Sequence, residues 1–391
     1  MQFRNEKSNL VTRGMGGSPM KCRYSGQDTA GAPVLQEVVN APHHPGVRGA
    51  HSVTVAIATI ATLLTFATIL HAAPEAVSPG TGLHMDPAKV VGSAKCAECH
   101  KAEDNAWQHT HHFATFAALP KEKRAKEIAD AMGLEGGIRR NNTCLNCHFT
   151  VQNKEGAATP IAGVSCESCH GAAKDWVTLH NDYGQGKTRE TEAADHKKKR
   201  HDDADAAGMV RKDRINLIAA NCYSCHTVPN QDLVNKGGHK AGSDFELVSW
   251  SQGEVRHDYL LNQSKNAEET PQRKRVLYVV GQATDLEYAL RGAQKITEKG
   301  AYRDAMLARV RNATVKLDEV LKKAKIAEYD EVLAGVPRAD TGQLKLSKDI
   351  LASLPDKLAA ASQAFSAKND GAALDGVDAL IPKDMKGTAQ P

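Results

Sequence analysis

Aromatic residues make up only 5% of this 391-residue chain, and just three of them are tryptophan. A chain of that length, enough for two modest domains, would ordinarily draw on Phe, Tyr and Trp for core volume. Something other than aromatic side chains must supply broad apolar surface. Long hydrophobic runs are also missing, with one exception at residues 53–70, "VTVAIATIATLLTFATIL". A protein that crosses a membrane many times is thereby excluded. Charge of one sign is not in excess, the formal net charge being +4, which argues against a nucleic-acid partner. Neither cysteine nor histidine occurs after His257, so thiol and imidazole chemistry belongs to the earlier part of the chain. Only Cys22 stands outside a repeated cysteine motif, and it reads as a free thiol without a role.

The apolar run lies between Arg48 and the small-residue stretch "HAAPEAV". It is expected to be an export signal cleaved near Ala72 to Ala76, with a single membrane anchor as the alternative. Residues 1–52 read as a disordered leader, longer than an export signal needs, and residues 53–76 as the signal or anchor. The remainder is then expected in the periplasm, outside the cytoplasm, where free cysteine pairs would oxidise to disulfides. Residues 1–73 carry six Lys/Arg against three Asp/Glu, so the part beyond them has a formal charge of about +1.

Eight of the nine cysteines form four copies of Cys-x-x-Cys-His: "CAECH" at 96–100, "CLNCH" at 144–148, "CESCH" at 166–170 and "CYSCH" at 222–226. One such motif could be half a zinc site or a thioredoxin-like redox pair. Disulfides need no histidine. Four copies, each with the trailing histidine, in a chain expected to be exported, read as c-type haem attachment. Two thiols one helical turn apart match the two vinyl groups on one side of a porphyrin, and the next residue aims its imidazole at the iron. Cys96, Cys99, Cys144, Cys147, Cys166, Cys169, Cys222 and Cys225 are the expected thioether positions for four covalently attached haems c. His100, His148, His170 and His226 are the expected proximal ligands. Two propionates per haem would make the loaded protein mildly anionic.

Four irons leave four further axial positions, and nine other histidines follow residue 74. No methionine has a comparable setting, so bis-histidine ligation is expected over His/Met. "KAEDNAWQHTHHFATFAALP" reads as one helix ending at Pro120. Its His112 lies about 18 Å along the axis from His100 and so is expected to serve a neighbouring iron. His109 shares its face at i and i+3. His180, about 15 Å past His170 and behind Trp176 and Leu179, is likewise expected to reach another iron. His239 follows two glycines that permit close backbone approach. His196 and His201 sit in a charged run expected to be solvated, His84 in a linker expected to be exposed, and His257 is left open.

At these residues the chain resembles the tetrahaem cytochrome c-554 family of nitrifying bacteria and its relatives, over about residues 90–260. The resemblance rests on the four motifs in one chain, on "CAECHKAEDNAWQHTHHF", on "GVSCESCHGAAKDWVTLH", and on Gly238-His239 followed by Phe245-Glu246-Leu247. It implies closely packed haems relaying electrons, three irons bis-histidine and one five-coordinate. Carried over by position, it implies His112, His180 and His239 as distal ligands and an open iron at the second motif, with His148. Lys240 replaces a proline usual in relatives, and Asn105 stands where another histidine might occur. The extra His109, His111 and His257 leave room for all four irons to be six-coordinate.

The expected fold is mainly α, with a haem domain over 77–265 whose cofactors form much of the core, and a helical domain over 266–391. Thr270 and Pro271 open one helix, closing at Gly300. A second stripe runs through Met306, Val310, Leu317, Val320, Leu321 and Val332, and a third helix spans about Thr341 to Ala367, interrupted at Pro355. The expected function is an electron carrier between redox-protein partners, touching membrane only through an N-terminal anchor. The alternatives are a haem enzyme acting at a five-coordinate iron on nitric oxide or hydroxylamine, and a non-catalytic subunit of a larger complex with the helical extension as assembly element.

Overall fold

The computed structural model describes residues 84–260 and 265–391, all within one compact unit. The expectations for the leader, for Cys22 and for the apolar run at 53–70 concern residues outside these. The described residues are 54% helical and 4% strand, as the mainly α reading required. Among the described residues no helix is long and apolar enough to cross a membrane.

The motif-bearing part is built of short helices: α1 (Ser93–Ala97), α2 (Lys101–Gln108), α3 (His111–Ala118), α4 (Lys123–Ala131), α5 (Asn142–His148), α6 (Cys166–His170), α7 (Ala194–Ala206), α8 (Ile215–His226), α9 (Gln231–Asn235) and α10 (Leu247–Ser251). One antiparallel hairpin, β1 (Thr150–Lys154) with β2 (Ala157–Ala162), separates α5 from α6. Glu155 and Gly156 take positive φ at its tip, the two-residue geometry that matches strand twist. Three long helices and one short one follow: α11 (Pro271–Gln294), α12 (Ala301–Lys323), the short α13 (Ala327–Ala334) and α14 (Lys348–Lys368).

The two parts have different cores. Around the first three motifs the buried clusters are small, one of seven residues about Leu145 and Phe149 and one of Ala173, Trp176 and Ala204. The large cluster belongs to α11–α14 and takes in Ile215, Ala219 and Tyr223 of α8 together with Phe245, Leu247 and Val248. The fourth motif is therefore carried on a helix whose other face is bound into the helical bundle. Within that bundle α11 is buried nearly all round, Val276 to Leu286 without a break, as a central helix must be. Gly292 is required there: a Cβ would lie 2.5 Å from Met306 Sδ, and the Gly292 carbonyl accepts the Tyr302 hydroxyl at 2.8 Å.

Three local expectations are corrected. The helix after the first motif is not continuous, because Thr110 breaks it and caps α3, its hydroxyl accepting from Phe113 N at 3.2 Å and donating to Trp107 O at 2.7 Å. Such side-chain bonds compete with the helical ladder. Pro355 does not interrupt its helix. Proline removes the N–H that residue 351's carbonyl would accept, and the side-chain amide of Gln294 on α11 donates to Leu351 O instead. Gly300 does not close α11, which ends at Gln294; it precedes α12, and the second stripe is divided between α12 and α13 so that Ile326, 3% exposed, can turn inward.

The bundle contains a buried acid, Glu287, which is 4% exposed and accepts from Arg291 Nε at 2.9 Å. Burial, only partly offset by Arg291, raises its pKa to about 7. The folded form then binds a proton that the unfolded chain has released, so this group's contribution falls as pH rises from the ordinary carboxylate value to about 7, and is flat above. Glu287→Gln is expected to remove that loss, giving a gain that is larger at pH 8 than at pH 5 by at most about 3 kcal/mol. Denaturant titrations of both proteins at the two pH values measure the difference, and buried histidines, common to both, cancel.

Candidate functional site

Each Cys-x-x-Cys-His sequence sits on or at the end of a helix. The second, third and fourth lie within α5, α6 and α8, with the histidine as last residue, and the first runs from α1 into the start of α2. The eight cysteines form no disulfides among the described residues. Asn141 caps α5 by accepting from Thr143 N, and Ser165 with Ser168 forms a capping box on α6.

Four imidazole pairs organise the site. His100 faces His180 with ring centroids 6.2 Å apart, His226 faces His112 at 6.2 Å, His148 faces His239 at 6.3 Å, and His170 faces His257 at 6.1 Å. One such pair could be an ordinary aromatic contact. Here every motif histidine has one non-motif partner, and the four separations agree within 0.2 Å. A direct N–H···N bond of about 2.9 Å would bring the centroids to about 5 Å. Two metal–imidazole bonds of about 2.0 Å, with each centroid about 1.1 Å behind its nitrogen, give roughly 6.2 Å. The pairs have the span of a ring–metal–ring sandwich.

The rings are held in the form a metal needs. Nδ1 of His170 donates to Val210 O at 2.8 Å, that of His180 to Val177 O at 2.8 Å, that of His239 to Lys240 O at 2.8 Å and that of His257 to Val255 O at 2.6 Å. Nδ1 of His226 bonds the Ser243 hydroxyl at 3.0 Å. A donor bond at Nδ1 fixes the tautomer and leaves the Nε2 lone pair for a metal. Burial first, then neighbouring imidazoles, lower His148, His170 and His226 to about 4, so these rings are neutral at physiological pH.

Buried bonds tie the motifs together. The Glu167 carboxylate inside the third motif is 1% exposed and accepts from Val91 N at 2.9 Å, Gly92 N at 2.7 Å and Ala173 N at 2.8 Å. It thereby fixes the approach to the first motif. Cys96 of the first motif lies against Cys166 of the third, and Cys225 Sγ of the fourth lies 3.9 Å from Asn146 O of the second, beside Cys147. Asn221 Nδ2 donates to Cys169 O at 2.7 Å. The motifs therefore follow one another in space as first, third, fourth, second.

Haem fits these residues on a further count. Arg139 Nε, Trp176 Nε1 and Arg256 Nε are buried without a hydrogen-bond partner, an arrangement natural proteins rarely leave. Trp176 stands edge-on to His180 at 5.3 Å, Arg256 directly precedes His257 in sequence, and Arg139 lies over Phe116. Porphyrin propionates are carboxylates, and three N–H donors, two of them cationic, suit them.

The other histidines are not paired with a motif ring among the described residues. His109 donates to Asn105 O, His111 Nδ1 meets Glu254 at 2.7 Å, His196 bonds Glu192 and His201 bonds Arg211. His84 is half-buried rather than exposed, and burial lowers its pKa. His180 faces the first motif, not the third that precedes it, and His112 faces the fourth. His239 stands opposite His148, at the iron the resemblance left open. His257, unassigned from sequence, is the partner of His170. The signal for it was a count: three chosen distal histidines cannot complete four motifs, and the charged run already accounted for His196 and His201.

Four Cys-x-x-Cys-His sequences of the haem-attachment type are thus gathered in a mainly helical fold, the arrangement seen in multihaem c-type cytochromes. Residues 95–171 match the family described as "Cytochrome c554 and c-prime", and the resemblance read from the motifs holds over that stretch. A segment of 157 residues is 28% identical to cytochrome c-554 of Nitrosomonas europaea, covering 38% of this chain and 62% of that protein. The chain thus spans less than two thirds of the length of this curated relative. No solved structure matches the chain.

Proposed function

We propose that this chain is an exported, periplasmic tetrahaem electron carrier in which all four irons have two histidine ligands. The observation that carries the reading is the set of four imidazole pairs at 6.1–6.3 Å. Bound haem supplies reversible one-electron chemistry. The polypeptide contributes the rest. His100 with His180, His226 with His112, His148 with His239 and His170 with His257 would hold the irons, and the eight motif cysteines would anchor the porphyrins. Backbone carbonyls at Nδ1 raise ring basicity and keep the ligation bis-histidine, a low-potential arrangement compared with His/Met. The nearness of the motif segments to one another, with the Asn221 bond to Cys169 O, supports the order first, third, fourth, second as the route between donor and acceptor proteins.

The reading as an enzyme acting on nitric oxide or hydroxylamine requires an iron with an open position, and His239 opposite His148 weighs against it. Mass measurement of the mature protein is expected to give four haem additions and a chain lacking the leader. The reduced protein is expected to leave its spectrum unchanged under carbon monoxide. A carbon monoxide complex in unmodified protein, or fewer than four haem masses, overturns the proposal.

A further inference from the structure

The charged helix α7 has no place in the ligand set, yet two features tie it to two different irons. Its sequence, "ADHKKKRHDDADA", buries one side chain, Ala204. A helix polar on nearly every face has little packing to hold it, so its anchorage must be polar. Arg200 provides the first anchor. Its guanidinium grips Glu192 bidentately, Nε to Oε1 at 2.8 Å and Nη2 to Oε2 at 2.7 Å, while Nη1 donates to the backbone carbonyl of His180 at 2.5 Å. His196 adds a third bond to Glu192, and the guanidinium lies over the Tyr183 ring at 4.8 Å. The Glu192 side chain is 0% exposed and that of Arg200 8%.

Arg211 provides the second anchor, just beyond the helix. It holds Asp205 bidentately, Nε to Oδ1 and Nη2 to Oδ2, both at 2.8 Å, and reaches Asp213 at 2.7 Å and His201 Nδ1 at 3.0 Å. The preceding residue, Val210, is bonded twice to His170: its N–H donates to the His170 carbonyl at 2.9 Å, and its carbonyl accepts from the ring Nδ1 at 2.8 Å.

The geometry points to Arg200 and Arg211 as positioning residues, α7 acting as an outer brace that sets the ring planes of His180 at the first iron and His170 at the third. The inference rests on the four-haem reading above. Bidentate guanidinium–carboxylate pairs suit the task because they fix orientation as well as distance. A lysine in either place would keep the charge and lose the fork.

Ring-plane angles make the test specific to each iron. The planes of His100 and His180 differ by 24°, those of His170 and His257 by 84°, and the other two pairs by 53° and 49°. Near-parallel imidazoles separate the iron's π-bonding d orbitals and give an ordinary rhombic low-spin resonance. Near-perpendicular ones leave those orbitals close in energy and give a highly anisotropic signal at lower field. Arg200→Ala is expected to shift the most rhombic component of the ferric spectrum and leave the low-field signal in place, and Arg211→Ala the reverse. Lys198→Ala, which removes an exposed pair with Asp202 on the same helix, is expected to move neither.

An Arg200→Ala protein with four haems and an unmoved rhombic component overturns the inference, as does one in which all components move together. Should Arg200→Ala fail to mature, Arg200→Lys and Glu192→Gln carry the same expectation in milder form. Their unchanged spectra would count equally against the brace. A wrong haem count by mass would instead sink the four-haem reading and is seen before any resonance is recorded.

Discussion

His239→Ala is expected to convert a protein indifferent to carbon monoxide into one that binds it at a single iron out of four. The argument begins at two glycines. Gly238 has φ +66°, a left-handed conformation costly for other residues, and a Cβ on Gly237 would lie 2.7 Å from Leu233 O and 3.0 Å from Met132 Cγ. The loop is thus pressed against α4 and α9, and Arg124 of α4 donates to the Gly238 carbonyl at 2.5 Å. His239 N–H bonds Leu233 O at 3.0 Å, and its Nδ1 bonds Lys240 O at 2.8 Å. One backbone bond and one ring bond hold this histidine toward His148. The methyl group of alanine cannot reach across the pair, so the iron at the second motif becomes five-coordinate, high-spin and open to exogenous ligand. Loss of a basic axial ligand also raises its potential. Carbon monoxide difference spectra and electron paramagnetic resonance read the change directly. If His239→Ala still ignores carbon monoxide, the pairing with His148 is wrong.

Arg309→Ala carries the largest expected cost in stability. Arg309 Nε bonds Asp285 Oδ1 at 2.5 Å, and both side chains are largely buried, 14% and 9% exposed. Burial already raises the Asp285 carboxyl despite this partner. Removing the cation leaves a buried carboxylate unpaired, which costs about 3–5 kcal/mol. The same guanidinium donates through Nη1 to Ser243 O at 3.0 Å, and the Ser243 hydroxyl meets Nδ1 of His226. A melting curve is therefore expected to drop by many degrees, with a spectral change confined to the iron at the fourth motif. The double variant Asp285→Leu with Arg309→Met is expected to recover most of the stability, because an apolar pair of similar size needs no compensation, but not the His226 contact.

The Arg309 contact also answers why a histidine-free helical third accompanies the haem motifs. α11 and α14 pack on α8, and the last residues return to the other side of the site. Lys386 N–H donates to Ser249 O at 2.9 Å, Glu254 N–H to Lys386 O at 2.8 Å, and the Tyr259 hydroxyl to the Pro391 carbonyl at 2.9 Å. These bonds bracket His257, whose loop has no regular structure of its own.

What the sequence determined by itself was chemical. A Cys-x-x-Cys-His repeat is a local device, complete within five residues, so the eight motif cysteines and the histidine closing each copy could be picked out without a fold. So were the helical stripes of the last third, the Thr270 cap and the closeness implied by Gly237 and Gly238, because periodicity and backbone freedom are local properties. What only the tertiary structure decided was pairing. His180 lies ten residues from His170 and faces His100; His257 lies 87 residues from the His170 it faces. Nothing within a segment specifies such partners, which are set by the α7 anchors, the Glu167 carboxylate and the helical bundle together. The tolerance of Pro355 follows the same rule, since Gln294 of another helix serves Leu351 O, whereas the break at Thr110 is made by bonds within three residues. A local preference loses wherever a distant group satisfies the backbone at lower free energy.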